Sequence, residues 1–481
     1  MLHERINHQR PGSSRAWRRT IVVMAAFGLL AAACGDDDDA AEPAGSPSPG
    51  TAAGTSVAAT TAPPETTAAA ETTAAAETTA AAPPTSGAAE STPASSGEAN
   101  PFGGTLAEGE FDESYLPDPA LLEQALGGAA SLPEGEMEKN VVLAGVTRAS
   151  IPVDEDLALK CWQNDGCDTG TGGELVVGLA DGFGGNVARQ LFKMEFILQA
   201  LTYPEIGEIV YTDANLDTQK AISDVRSMAA RGIDVIVSYP DAGEALLPAY
   251  RAASEQGSQV VLWANANIGD PGTDYLTFSG TDQCGLGEAY AEVMNKALPD
   301  GGTIAFLGGT PGNTQSPAWQ ECERNALNPN IEIVATADTD WTRQGALQAA
   351  SGILSEHPDV DGWSYDYGDA FVGVIRAYEA AGLPLDVVAT VHSDDNPLLC
   401  AWKEVGNPNF DVYHFVALFT QGRIALTAAM MANAGADVPP EIIFATALKH
   451  VDENSCREDI PADGSPSTLI SADLQSRMFP D

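Results

Sequence analysis

The residues of this chain that could do chemistry lie at the ends of apolar runs, and their types favour holding a molecule over transforming it. The stretch "LVVGLADGFGGNVARQLF", Leu175 to Phe192, passes from an apolar strand through Gly182-Phe183-Gly184-Gly185 into a helical pattern. A dinucleotide-binding turn would need a third glycine or an alanine where Val187 stands, and an acidic residue about 20 positions on; Asp213 comes later than that. "GGTPGNTQS", Gly308 to Ser316, is glycine-rich but lacks the lysine of a phosphate loop. There is no GxSxG elbow and no HExxH pair. His392 stands beside Ser393 and Asp394, yet a triad needs groups that converge in space rather than in sequence, so His392 is read as a strand-end histidine without a catalytic role. Asp36 to Asp39 form a solvated charge run, and "DTDWT" lacks the spacing of a calcium loop. What remains at the strand ends is carboxylates and amides, each able to take two hydroxyls, and aromatic faces that pack on the C–H face of a sugar ring. That is binding chemistry.

The elements that must position these residues follow a regular beat from about Gly173. Apolar strand-like runs alternate with amphipathic helical segments: "ELVVGLA", "EIVYTDA", "IDVIVSYP", "QVVLWAN", "YLTFSGTD", "TIAFLGG", "IEIVATAD", "VDGWSYDY", "VVATVHSD" and "FDVYHFV". Strands buried on both faces and followed by helices predict an α/β fold with parallel, doubly wound sheets. About ten strands exceed the usual 5 or 6 per sheet, so two sheets in two lobes are expected. Ligands of open parallel sheets bind at the carboxyl ends of the strands. This selects the loops Asp181–Asn186, Tyr239–Gly243, Asn265–Asp270, Gly308–Trp319, Asp340–Arg343, Tyr365–Asp369 and His392–Asn396.

The N-terminus predicts export. Arg15, Arg18 and Arg19 precede an apolar run from Ile21 to Ala33 that ends in small residues before Cys34, a charged region, a short apolar region and a cleavage site. The run is shorter than the ~20 residues that cross a bilayer. Residues 35–100 are an Ala/Thr/Pro/Glu tract with too few large apolar side chains to offset the entropy of ordering, and are read as a disordered tether. The formal charge of −45 argues against nucleic acid or an anionic membrane surface as a direct partner. Apart from Cys34 there are six cysteines, Cys161, Cys167, Cys284, Cys322, Cys400 and Cys456, without CxxC spacing or clustered histidines, so disulfides are expected rather than a metal site. In residues 101–172, an N-terminal extension, "DPALLEQALGGAA" reads as helix and "NVVLAGV" as strand.

"LLAAAC", ending at Cys34, resembles a bacterial lipoprotein signal, which implies cleavage after residue 33, lipidation of Cys34 and anchoring on the outer face of the cytoplasmic membrane. From about Gly173 to Val451 the chain resembles the ribose-type substrate-binding proteins of ABC importers, the type I periplasmic-binding fold. The resemblance rests on "DANLDTQKAISDVRSMAARGIDVIVSYPDAGEALLPAYRAASEQG", on "GTDQCGLGEAYAEVM" with Asp282 and Gly287, and on "ADTDWTRQGALQAASGILSEHPDVDG" with Trp341. It implies two Rossmann-like lobes joined by a three-strand hinge: residues 173–281 with 417–446 as the first lobe, and 282–416 with 447–481, including a C-terminal tail, as the second. By position it implies a ligand set of Asp181, Phe183, Asn186, Arg189, Asp241 and Asn265 from the first lobe. From the second it implies Trp319, Trp341, Tyr365, Asp366, Asp369 and Asp394. It makes Cys284–Cys322 and Cys400–Cys456 plausible second-lobe pairs, with Cys161 and Cys167 closing a small loop ahead of the first strand. The function implied is a monomeric binding protein, without cofactor or catalysis, that carries a sugar or polyol to an ABC permease. Alternatives are a nucleoside or amino acid as solute, or a receptor reporting to a membrane sensor.

Overall fold

Apolar runs such as "VIVS" and "GWSY" bury every residue, so both of their faces must be covered, and helices from the same chain cover them. The computed structural model describes residues 117–480 apart from 129, 264–266 and 446. The segment read as a signal, Cys34 and the tract read as a tether lie outside the described residues.

Three helices, α1 (Pro119–Ala125), α2 (Glu136–Arg148) and α3 (Glu155–Gln163), lead into the first sheet. There follow β1 (Gly166–Asp168), β2 (Leu175–Asp181), α4 (Val187–Ala200), β3 (Ile206–Asp213), α5 (Thr218–Ala230), β4 (Val235–Ser238), α6 (Leu247–Glu255), β5 (Gln259–Trp263) and β6 (Thr277–Thr281). The chain crosses through Asp282 into α7 (Gln283–Ala297) and builds the second sheet. Its elements are β7 (Gly302–Gly308), α8 (Gln315–Ala326), β8 (Ile331–Asp338), α9 (Arg343–Glu356), β9 (Gly362–Tyr365), α10 (Gly368–Ala381), β10 (Val388–His392), α11 (Asn396–Val405) and β11 (Asp411–Phe415). It then returns through α12 (Gln421–Asn433) to β12 (Glu441–Phe444) in the first sheet, crosses again to β13 (Lys449–His450), and ends in α13 (Ala472–Met478).

The strand orders are β1-β3-β2-β4-β5-β6-β12 and β13-β11-β10-β9-β7-β8. Only the edge pairs β1–β3 and β11–β13 are antiparallel. In each sheet the order reverses about one strand, β2 in the first and β7 in the second, and the crevice at that strand's carboxyl end is where such folds bind ligands. The three passages between sheets lie at Asp282, between Phe415 and Gln421, and between Phe444 and Lys449. The first and third are tied by Asp282 N donating to Phe444 O at 3.1 Å.

The ten runs read as strands form β2 to β11. "NVVLAGV" does not form a strand: it lies within α2, where Val141, Val142, Leu143, Ala144 and Val146 are all buried. A helix covered on every side loses the polar stripe that would mark it, and valines then bias the reading toward strand. Gly145 allows the close approach to α12, since a Cβ there would meet Thr427 and Ile424.

The cysteines pair as Cys161–Cys167, Cys284–Cys322 and Cys400–Cys456. The last fastens the C-terminal tail to α11. Further along, the tail bonds to the second lobe through Asp463 to Arg343 at 2.5 Å and Ser467 Oγ to Asp394 Oδ1 at 2.7 Å. It then passes to the first lobe, where Leu469 N donates to Glu195 of α4 at 2.6 Å, and finishes against α3 with Arg477 paired to Asp156. Glu195 also pairs with Arg423 of α12. The tail therefore spans both lobes instead of belonging to the second alone.

Candidate functional site

Asn186 caps α4, its Oδ1 accepting from Arg189 N at 3.0 Å, and this sets the first turn of the helix facing the crevice at the end of β2. Arg189 is nearly fully buried there. It pairs through Nη1 with Asp181, and Nη2 lies 2.7 Å from both carboxylate oxygens of Asp241. Its guanidinium carbon sits 3.2 Å from the centroid of the Tyr239 ring. Burial alone would lower the arginine's pKa, but the two carboxylates more than offset this and hold it charged. Burial pushes Asp241 up to about 6 against the pull of Arg189, and raises Asp181 in the same way. The glycine loop serves this arrangement by close approach: a Cβ on Gly182 would stand 2.3 Å from an Asp241 oxygen.

The second lobe answers with one buried carboxylate. Asp366 follows β9 and receives Ser316 Oγ at 2.6 Å and Trp319 Nε1 at 3.0 Å on Oδ2, with Trp341 Nε1 at 2.8 Å on Oδ1. Burial raises it to about 6, opposed by these three donors. Trp341 comes from the loop after β8, held at φ 48°, and packs against Gly309, where no Cβ would fit.

Between these two groups lies a cavity of about 60 Å3. Asn186, Arg189, Phe192 and Tyr239 line it from the first lobe. Gln315, Trp341, Asp366, Tyr367, His392 and Ser393 line it from the second. Thr281, Gln283, Ala417 and Gln421, at or beside the inter-lobe passages, close the base. Phe192 stacks into an aromatic group with Trp263 and Phe419, centroids 4.3 and 5.0 Å away. Two hydrogen bonds cross from lobe to lobe over the cavity, Tyr239 Oη to Gln315 Oε1 at 3.3 Å and Ala188 N to Tyr367 Oη at 3.4 Å. The lobes are thus closed on each other.

Of the residues expected at the site, Asn186, Arg189, Trp341 and Asp366 meet at the cavity wall. Asp181 and Asp241 stand behind Arg189, and Trp319 supports Asp366 from the core, edge-on to Tyr290 and Phe306. Three others do not reach the cavity. Phe183 is buried against Gly185, Tyr365 is buried beneath with its hydroxyl on Thr339, and Asp369 is turned to Arg343. Asn265 lies outside the described residues. Asp394 faces a different cavity, shared with His414 and the tail. The cause is local: Ser393 adopts φ 91° and takes the strand-end place facing the crevice, which sends Asp394 the other way.

Tyr239, Gln315, Tyr367 and His392 were not singled out as ligand groups, although each falls in a strand-end loop. Gln283 and Gln421 fall in none of those loops, because they follow inter-lobe passages and ordinary strand-end reasoning does not reach them.

The family description "Periplasmic binding protein domain" matches residues 189–436. The chain is 24% identical over 182 residues to the ribose import binding protein of Bacillus subtilis, covering 38% of this chain and 58% of the relative. It is 23% identical over 279 residues to the D-xylose-binding periplasmic protein of Escherichia coli, covering 54% and 81%. The chain therefore spans little more than half the length of the first of these relatives. Among solved structures, it resembles an ABC transporter solute binding protein from Bacillus halodurans with bound myo-inositol. The TM-score is 0.53 at 20% identity, over 60% of this chain and 97% of that one.

Proposed function

The chain belongs to the periplasmic binding protein domain family, and from that premise we propose that it captures a small, uncharged, polyhydroxylated solute, a sugar or polyol, between its lobes for delivery to an ABC permease. The observation that carries this reading is the buried Asp366 carboxylate opposite a guanidinium already neutralised by two carboxylates, at one cavity lined from both lobes. Asp366 is a strong acceptor for hydroxyls, Trp341 and Phe192 supply apolar faces, and Arg189 has no spare charge for an anionic ligand. Ligand contacts to both lobes favour the closed form, and the permease reads that form.

Export, with the protein held at the outer face of the cytoplasmic membrane by a lipid on Cys34, completes the proposal. It follows from the signal-like N-terminus, and a Cys34→Ala variant is expected to appear in the soluble extracytoplasmic fraction instead of the membrane fraction. Binding without turnover fits the cavity's chemistry. Ser393 Oγ, a hydroxyl of a residue at the cavity wall, donates to Asp395.

A thermal-shift screen over sugars, polyols, nucleosides and amino acids tests the substrate class, because a ligand of the folded state raises its melting temperature by mass action. A shift confined to nucleosides or amino acids would remove the sugar or polyol assignment.

A further inference from the structure

Among the described residues, three that line the cavity each carry a buried polar atom without a hydrogen-bond partner: Gln283 Oε1, His392 Nε2 and Gln421 Oε1. Gln283 and Gln421 are 7% and 2% exposed, so solvent does not satisfy them from outside. Their chain positions share a property. Gln283 is the first residue of α7, directly after the passage at Asp282, and Gln421 is the first residue of α12, directly after the passage that follows Phe415. His392 ends β10, and its ring stacks on Phe415 at 5.3 Å with 14° between planes. All three therefore stand on or against the hinge, not on the free rims of the lobes.

We infer that Gln283, His392 and Gln421 form a hydroxyl-binding floor carried by the hinge, which takes the hydroxyls along one edge of the ligand. This deepens the proposed sugar or polyol binding and rests on it. The chemistry favours hydroxyls specifically. Gln283 spends one end of its amide on Thr281 Oγ1 at 2.6 Å and keeps the other unpaired, whichever way the amide is oriented. A hydroxyl both donates and accepts, so it satisfies an amide in either orientation and an imidazole in either tautomer. Burial lowers the pKa of His392 to about 4, which keeps the ring neutral in the ordinary range. Among the described residues Arg189 is the one lysine or arginine at the cavity wall, and its pairing with Asp181 and Asp241 leaves it no charge for a carboxylate or phosphate. Buried polar groups left unpaired are costly. Placing three of them where the chain bends means that ligand hydroxyls order the hinge itself as the lobes close.

The test uses Gln283→Met, Gln421→Met and His392→Phe in the full chain, with two measurements on each. Without ligand, His392→Phe and Gln421→Met are expected to melt at or above the wild-type temperature, because an unpaired buried polar group has been removed, and Gln283→Met, which also loses the bond to Thr281, slightly below it. With the tightest binder among myo-inositol, D-ribose, D-xylose and xylitol, each is expected to lose about 10-fold or more in affinity by titration calorimetry. Single-deoxy analogues of that binder complete the cycle: the analogue lacking the hydroxyl that meets a given side chain should bind wild type and the matching variant about equally. Wild-type affinity in all three variants, or losses of the same size for every deoxy analogue, would overturn the floor while leaving the parent reading intact. A fall of several degrees in the ligand-free melt would also overturn it, since the groups would then be paired inside the protein. Binding of none of the four probes by wild type would overturn the parent reading and the floor together.

Discussion

Asp366 and Arg189 stand on opposite lobes at the cavity wall, and each makes a separate prediction. Asp366, at about 6 in the folded state against an ordinary value near 3.8, binds its proton more tightly when folded. Its protonation therefore favours the fold at low pH, a contribution lost as pH rises from about 4 through 6. If ligand hydroxyls donate to the carboxylate as proposed, affinity should run the opposite way: constant above about pH 7 and weakening below the value near 6. Asp366→Asn should flatten that profile in calorimetry, apart from the part due to Asp241, which also titrates at about 6 behind Arg189. An unchanged profile in the variant would exclude Asp366 as an acceptor for the ligand. Arg189→Met would strand two buried carboxylates, and a loss of about 3–5 kcal/mol is expected in denaturant melts. The sequence made the loops of this site legible but not the direction of each side chain. Strand-end reasoning led to Arg189, Trp341 and Asp366, which the fold brings to one cavity wall. It could not see that φ 91° at Ser393 trades Asp394 for its neighbour, because such a backbone state at serine has no signature in residue type.

Elements meet here through glycines placed for close approach. A Cβ on Gly287 of α7 would lie 2.1 Å from Trp319 O of α8, the two helices that Cys284 and Cys322 also join. Gly287→Ala should therefore cost roughly 1–3 kcal/mol in a thermal or denaturant melt, and a neutral result would show that α7 and α8 can separate freely. Gly309 abuts the indole of Trp341, with 1.9 Å between a built Cβ and the nearest ring atom. Gly309→Ala should displace that ring from Asp366 and weaken ligand binding by more than it lowers the melting temperature. The alternation that revealed β2 to β11 was legible because each strand is an apolar run between helical patterns. Edge strands β1 and β13, of 3 and 2 residues, are too short to carry a period.

The whole molecule is more than two lobes on a hinge, because the tail adds a non-covalent crossing beyond the covalent passages. It is anchored to the second lobe by Cys400–Cys456 and Arg343–Asp463, and to the first by Glu195, which also pairs with Arg423 two residues beyond Gln421 at the cavity base. These contacts exist with the lobes closed, so they add to the stability of that form. A Ser467→Ala/Thr468→Val double variant should populate the open form more, seen as a larger radius of gyration in X-ray scattering without ligand and an affinity several-fold weaker. Identical scattering would show that the tail merely rests on the hinge. None of this crossing was legible in the sequence, since a polar tail bound through serines and threonines has no apolar period. Closure also has an optical consequence. Among the described residues Trp341 is the one tryptophan at the cavity wall, and its indole N–H is committed to Asp366. A solute that competes for that carboxylate would change the polarity around the ring, so the protein's own ultraviolet fluorescence should report occupancy with no attached dye.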